Sequence, residues 1–235
     1  MNVLIGADIV PTKSNEELFE NGKKEKLIGE GLSKIMDKAS YIIMNLEVPL
    51  VDKKTPIEKC GPNLIASTKS ITGLKKINPY FYTLANNHIF DQGEEGLKST
   101  CKILEVNNIS YAGVGKNLKE MRKFHIAEFG NLKLGIYCCA EHEFSIATEN
   151  SMGANPFDIL YAFDDVKGLK EKCDKVIVLY HGGKEHYRYP SPNLRRIFCK
   201  FAEVGADYII AQHTHCIGCM EEYNGAYLIY GQENF

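Results

Sequence analysis

The sequence carries no surplus of charge of either sign: 28 lysines and arginines stand against 30 aspartates and glutamates, a formal net charge of −2 over 235 residues. That balance excludes functions that run on broad electrostatics, so neither nucleic acid nor an anionic membrane surface is expected as a partner. Pairs such as Lys23-Lys24 and Lys53-Lys54 sit among acids and read as solvated surface. No apolar run approaches the roughly 18–20 residues of a membrane span. The opening Met1-Asn2-Val3-Leu4-Ile5-Gly6 lacks the basic n-region and long h-region of a signal peptide and reads as a first strand. A cytoplasmic chain without a membrane segment is the expectation. Low-complexity tracts, internal repeats and Pro/Ser-rich linkers are missing as well. One domain over residues 1–235, large enough for a substantial core, is the simplest organisation.

Eight cysteines are present, but they are scattered and one pair, Cys138-Cys139, is vicinal. A chain of this size does not need disulfide staples, so they read as reduced thiols. Short apolar runs rich in β-branched and aromatic residues predict strands at 3–7, 41–44, 80–84, 176–180 and 208–211. Helical spacing links Leu27, Gly31, Leu32, Ile35, Met36 and Ala39, and likewise Leu97, Cys101 and Leu104. A further helix opens at Ser191 with Pro192 in its first position, buries Leu194, Ile197, Phe198, Phe201 and Ala202, and stops near Gly205. Hairpins are predicted around Gly130-Asn131 and Asn224-Gly225, the second a strong turn signal. The mixture predicts an α/β fold, sheets covered by helices with antiparallel additions.

The functional signal lies at the carboxyl end of each strand. The first ends at Asp8, the second runs into Asn45-Leu46-Glu47, and the third into Asn86-Asn87-His88 with Asp91 nearby. The fourth ends at His181, followed by two glycines and Glu185; the fifth leads into His213-Thr214-His215. Open α/β sheets build their sites beyond the carboxyl ends of their strands. These residue types bind divalent metals and move protons. A single histidine after a strand is ordinarily a hydrogen-bonded structural residue; five coincident placements point to a shared metal site. On an extended segment His213 and His215 would project the same way and serve neighbouring ions. Glu185 is expected to orient an imidazole from behind.

These segments, together with Gly6-Ala7-Asp8, Gly113-Val114-Gly115, Gly205-Ala206-Asp207 and the stretch 230–235, resemble the CapA family of capsule and poly-gamma-glutamate synthesis proteins, a branch of the calcineurin-like metallophosphoesterases. The resemblance implies a four-layer α/β sandwich, two mixed sheets between helical layers, with a two-metal centre. It implies Asp8 and His215 on one ion, Asn87, His181 and His213 on the other, and Glu47 bridging. His88, beside Asp91, would be the acid that serves the leaving group, while Asn45 and Asn234 would line the site. The implied chemistry is attack on phosphorus by a metal-activated hydroxide, with one or two ions drawn from Mn, Fe, Zn or Mg. The implied partners are a small-molecule or polymer substrate and proteins of capsule synthesis. Loops 48–66 and 141–161 are expected to form pocket walls.

The chain departs from the family pattern at three points. Val10 stands where the superfamily usually has a histidine, Glu47 replaces an aspartate, and Glu233 replaces a glycine. Family members usually carry an anchor and continue past this motif, so a domain cut short at its C-terminus is expected. Cys216-Ile217-Gly218-Cys219 offers a rival zinc or redox site, opposed by its place at the opening of a strand. The competitor of another class is a non-catalytic metal-binding or scaffold subunit of a capsule-polymer synthesis machinery. Against it stands the cost of keeping a polar cluster that a scaffold has no physical need for.

Overall fold

The first strand, β1 (Val3–Ile9), is followed by two helices, α1 (Glu16–Glu20) and α2 (Lys24–Met36), before β2 (Tyr41–Leu46) returns beside it in parallel. A parallel return needs such a crossover. The pattern repeats through α3 (Ile71–Ile77) to β3 (Phe81–Thr83) and through α4 (Gly93–Val106) to β4 (Ser110–Ala112). The sheet order is β1-β2-β3-β4. Every residue of β2 and β3 is buried, as their unbroken apolar runs require. α2 kinks at Gly29, which takes φ 69°.

The computed structural model describes residues 2–141 and 144–235. They fall into two compact units: Met1–Thr83 with His88–Tyr111, and Leu84–Asn87 with Ala112–Phe235.

The second unit opens with β5 (Val114–Gly115), α5 (Leu118–Met121), β6 (His125–Phe129) and β7 (Leu132–Ala140). It continues through β8 (Gly153–Ala154), α6 (Ala162–Lys170), β9 (Lys175–His181) and α7 (Pro192–Glu203), and closes with β10 (Tyr208–Gln212), β11 (Met220–Tyr223) and β12 (Ala226–Ile229). Six of these strands form one sheet in the order β11-β12-β10-β9-β7-β6, while β5 pairs with β8. The centre of the six-stranded sheet is parallel and both edges, β11 and β6, are antiparallel. This is the expected α/β class, sheets flanked by helices with antiparallel additions.

Local chemistry explains these elements. The Ser191 hydroxyl accepts from the Leu194 amide at 3.1 Å and caps α7, with Pro192 in its first turn. Leu194, Phe198, Phe201 and Ala202 then bury one face of α7 in a core with Tyr137, Val176, Val178 and Tyr180. Asn224 and Gly225 take φ 51° and 77°, the double left-handed turn that joins β11 to β12. All eight cysteines are free thiols. Among the described residues no helix is long and apolar enough to cross a membrane.

Candidate metal centre

In the first unit the register between β1 and β2 shifts between Ile5 and Asp8, after which Asp8 pairs with Asn45. Asn45 Nδ2 donates to Asp8 Oδ1 at 2.8 Å. Glu47 follows directly on β2, its amide donating to Ile9 O at 3.2 Å. Asp8 and Glu47 are 1% and 2% exposed, so two carboxylates are buried on neighbouring strand ends. Burial of such charges costs roughly several kcal/mol each unless cations or donors answer them.

His88 lies on a turn beyond β3. Its Nδ1 donates to the Asp91 carboxylate at Oδ2, 2.6 Å away. Asp91 also accepts from the Leu64 amide at 2.6 Å and pairs with Lys59, whose Nζ is 3.4 Å from His88 Nδ1. The side chains of Asp91 and Lys59 are 0% and 4% exposed. Lys59 was not legible as a site residue, since nothing in its flanking sequence marks it.

In the second unit His181 ends β9, directly opposite Gln212 of β10. His181 Nε2 and Asn87 Oδ1 are 3.0 Å apart, and the rings of His181 and His213 are centred 4.9 Å apart. Asn87, Ala140, Glu141, His181, Gly182 and His213 line a cavity of about 10 Å³. That is room for one water or one ion. The 3.0 Å separation also suits two donors on neighbouring positions of one ion. Imidazole nitrogen with carboxamide oxygen is a donor set that fits a divalent ion of intermediate softness. Glu141 accepts from Tyr180 OH at 3.0 Å. Burial of Tyr180, reinforced by Glu141, pushes its phenol well above the ordinary range and keeps it a donor.

The His213-Thr214-His215 motif is not an extended segment, contrary to expectation. It lies beyond the end of β10, and His213 and His215 take φ 82° and 50°. Their rings are 5.8 Å apart and tilted by 49°. A left-handed side-chain residue costs roughly 1–3 kcal/mol and is kept where its surroundings demand it. His215 Nδ1 bonds Asn234 Oδ1 at 2.7 Å, and Glu185 Oε1 is 3.7 Å from His213 Nε2. Single ligand atoms of Glu185, His213 and His215 lie within 4.8 Å of one another. His186, not singled out in the sequence, sits beside this group, its ring 6.0 Å from that of His215. A histidine directly after Glu185 was the only signal of it in the sequence. Cys216 and Cys219 do not open a strand as expected but precede β11, which begins at Met220, and among the described residues no candidate ligand group includes a cysteine. Of the expected wall loop 141–161, residues 142 and 143 lie outside the described residues.

A roomier cavity of the second unit, about 790 Å³, is elsewhere, between α5, α6 and Asn155. None of the candidate site residues lines it. Its wall carries Arg122, bound through two nitrogens to Asp165 at 2.8 and 2.6 Å, which raises the pKa of the guanidinium further.

Helix-flanked sheets whose strand ends carry carboxylates, carboxamides and imidazoles define a metallophosphoesterase-like fold. Solved structures share it, two of them as follows. One is described as a novel phosphatase from Mycoplasma pneumoniae (TM-score 0.57, 17% identity, 97% of this chain and 70% of that one). The other is an NAD nucleotidase of Haemophilus influenzae (TM-score 0.56, 15% identity, 91% of this chain and 44% of that one). The chain belongs to the family of bacterial capsule synthesis proteins PGA_cap, whose model matches residues 3–235. Relatives include the capsule biosynthesis protein CapA of Bacillus anthracis, 27% identical over 213 residues (87% of this chain, 52% of the relative). The PGA biosynthesis protein CapA of Bacillus subtilis is 27% identical over 233 residues (97% of this chain, 61% of the relative). The chain thus spans about half to three fifths of the length of these relatives.

Proposed function

We propose that the chain is a divalent-metal-dependent hydrolase of phosphoester bonds that serves the making of a capsule or poly-gamma-glutamate polymer. The observation that carries this reading is the ion-sized cavity lined by Asn87, His181 and His213. In this reading Asn87, His181 and His213 would hold one ion, and the resemblance would give Asp8, Glu47 and His215 to a second. Bound ions would supply Lewis-acid charge to phosphoryl oxygens and lower the pKa of water. Asn45 holds the Asp8 carboxylate in place through its 2.8 Å hydrogen bond, and Asn234 does the same for the His215 ring at 2.7 Å. His88 delivers a proton from Nε2 to the leaving oxygen. Asp91 fixes the ring for that task through Nδ1, and Lys59 holds Asp91 in turn. The substrate is a phosphoester of a small molecule or of the polymer pathway, met among other proteins of capsule synthesis.

Two measurements test this. Protein purified without chelator is expected to contain stoichiometric Mn, Fe, Zn or Mg, and His213→Ala and Asp8→Ala to lose it. With Mn²⁺ added, the wild type should cleave generic phosphomonoesters or phosphodiesters, and His88→Ala should be slower by about 10²–10⁴. A wild type that binds metal but cleaves nothing that His88→Ala fails to cleave would transfer the family role to a non-catalytic, metal-binding scaffold subunit.

A further inference from the structure

We infer that the cavity of about 790 Å³ in the second unit, floored by Asn155 and Tyr137, is a binding site for an uncharged planar heterocycle of the nucleobase class. None of its residues belongs to the metal centre, so the inference stands or falls independently of the proposed function.

Asn155, directly after β8, is held by three hydrogen bonds. Its amide donates to Gly113 O at 2.9 Å, its carbonyl accepts from the Ala140 amide at 2.8 Å, and Nδ2 donates to Cys138 O at 2.7 Å. A carbonyl only accepts, so Cys138 fixes which end of the carboxamide is nitrogen. The other end, Oδ1, is buried and has no hydrogen-bond partner among the described residues. Such an oxygen, on a residue 2% exposed, calls for a donor from outside the chain. Tyr137 of β7 forms the rest of the floor and backs onto the core, its ring 6.4 Å from that of Phe201. Burial pushes its phenol well above the ordinary value, against a smaller lowering by hydrogen bonding from Asn155. The hydroxyl therefore stays protonated, a donor beside a fixed acceptor.

The walls are flat. Arg122 Cζ lies 4.3 Å over the Tyr161 ring while Nε and Nη2 are taken by Asp165, so the guanidinium is fixed in place, and Phe124 adds a second ring. Such surfaces favour a planar ligand that stacks. The remaining charges, Lys119 and Lys123 against Glu149 and Asp158, cancel, and Asp165 already answers Arg122. An anion gains no net attraction there. A floor with donor beside acceptor calls for a ligand edge that carries the same pair side by side. A peptide bond does not, because it is trans and its N–H and C=O point in opposite directions. The lactam or amidine edge of a nucleobase does. The volume also falls in the range of small-molecule sites, roughly 300–1,000 Å³.

The test is titration calorimetry of the full chain in the presence of EDTA, which takes the metal centre out of the measurement, with adenosine and uridine as probes. At least one is expected to bind with a Kd below about 1 mM. Purine riboside lacks the amine of adenosine, and 3-methyluridine has its ring N–H blocked. Each should bind about 10-fold more weakly than its parent, since the floor acceptor is then left unpaired. Tyr137→Phe removes only the floor hydroxyl and should cost about 3–10-fold, and Asn155→Leu, which removes the acceptor, at least as much. Should Asn155→Leu misfold by circular dichroism, Tyr137→Phe and the two analogues carry the test alone. Adenosine 5′-monophosphate is expected to bind within about 10-fold of adenosine, because the charges around the cavity cancel. The inference is overturned if neither nucleoside binds below about 1 mM, or if the analogues bind as tightly as their parents. Wild-type affinity in Tyr137→Phe overturns it as well. A phosphate that strengthens binding more than about 10-fold would make this an anion site instead.

Discussion

Lys59→Met removes one charge from a pair in which both side chains are almost wholly buried, at 4% and 0% exposed. Breaking such a pair by deleting one partner typically costs about 3–5 kcal/mol, because the other charge stays in the low-dielectric interior. Here Asp91 keeps two further hydrogen bonds, from the Leu64 amide and His88 Nδ1, each at 2.6 Å. That places the expectation at the low end, about 3 kcal/mol. With a urea slope of about 2–3 kcal/mol/M, the midpoint of the affected transition should fall by about 1–1.5 M. The chain has no tryptophan, so far-UV circular dichroism and tyrosine fluorescence are the probes. Their coincidence also shows whether one transition describes both compact units. Pairing Lys59→Met with Asp91→Asn gives a cycle in which the double variant should lose at least about 1 kcal/mol less than the sum of the singles. A shift below about 1 kcal/mol, the range of an exposed pair, would refute the claim that Lys59 anchors Asp91 and through it His88.

Packing and charge set two further outcomes. A Cβ at Gly73, in the middle of α3, would stand 2.5 Å from Phe19 Cα and 2.6 Å from Phe19 O, so α1 would have to withdraw. Gly73→Ala should therefore lose about 1–2 kcal/mol in urea denaturation despite the better helix propensity of alanine, and a neutral or stabilised variant would disprove the close contact. At Asp207, burial opposes ionisation, but Lys170 and Lys175 at 2.8 and 2.7 Å, with the Val176 amide, outweigh it and hold the carboxyl below its ordinary value. The unfolded chain then binds more protons than the folded one, so this stabilisation is present above about pH 4 and lost as pH falls through the folded value. Asp207→Asn should flatten the acid side of the stability–pH curve; an unchanged slope would show that another group sets it.

How much of the structure is legible in the sequence depends on the reach of local rules. β9, β10, α7 and the first hairpin came out close to their observed bounds and the second hairpin turned where expected, because continuous apolar runs, Ser191-Pro192 and Asn224-Gly225 each decide structure within a few residues; its first strand, expected to open at Cys216, begins only at Met220. α3 and α6 were missed: α3 is a single short stretch, and α6 mixes Asp164, Asp165 and Lys167 into its apolar stripe. At the site, the residue types after each strand were visible, but their hydrogen bonds were not. Asn87 meets His181 across 94 positions and Lys59 meets His88 across 29, and no periodicity encodes such pairs. The assumption that His213 and His215 share an extended backbone failed because alternation holds only within a strand, and β10 ends at Gln212.

The division of the chain has a consequence for how the protein is made. Leu84–Asn87 belongs to the second unit, yet it is flanked on both sides by residues of the first. The backbone therefore passes between the units three times, after Thr83, after Asn87 and after Tyr111. Synthesised from the N-terminus, the first unit has all its residues once position 111 emerges. The tetrapeptide ending in Asn87 must wait for partners that come later in the chain, such as Ala112, whose carbonyl accepts from the Leu84 amide at 2.9 Å, and His181. No single cut separates the units, and a fragment that begins at Ala112 would keep every histidine of the imidazole cluster while losing the carboxamide that faces His181.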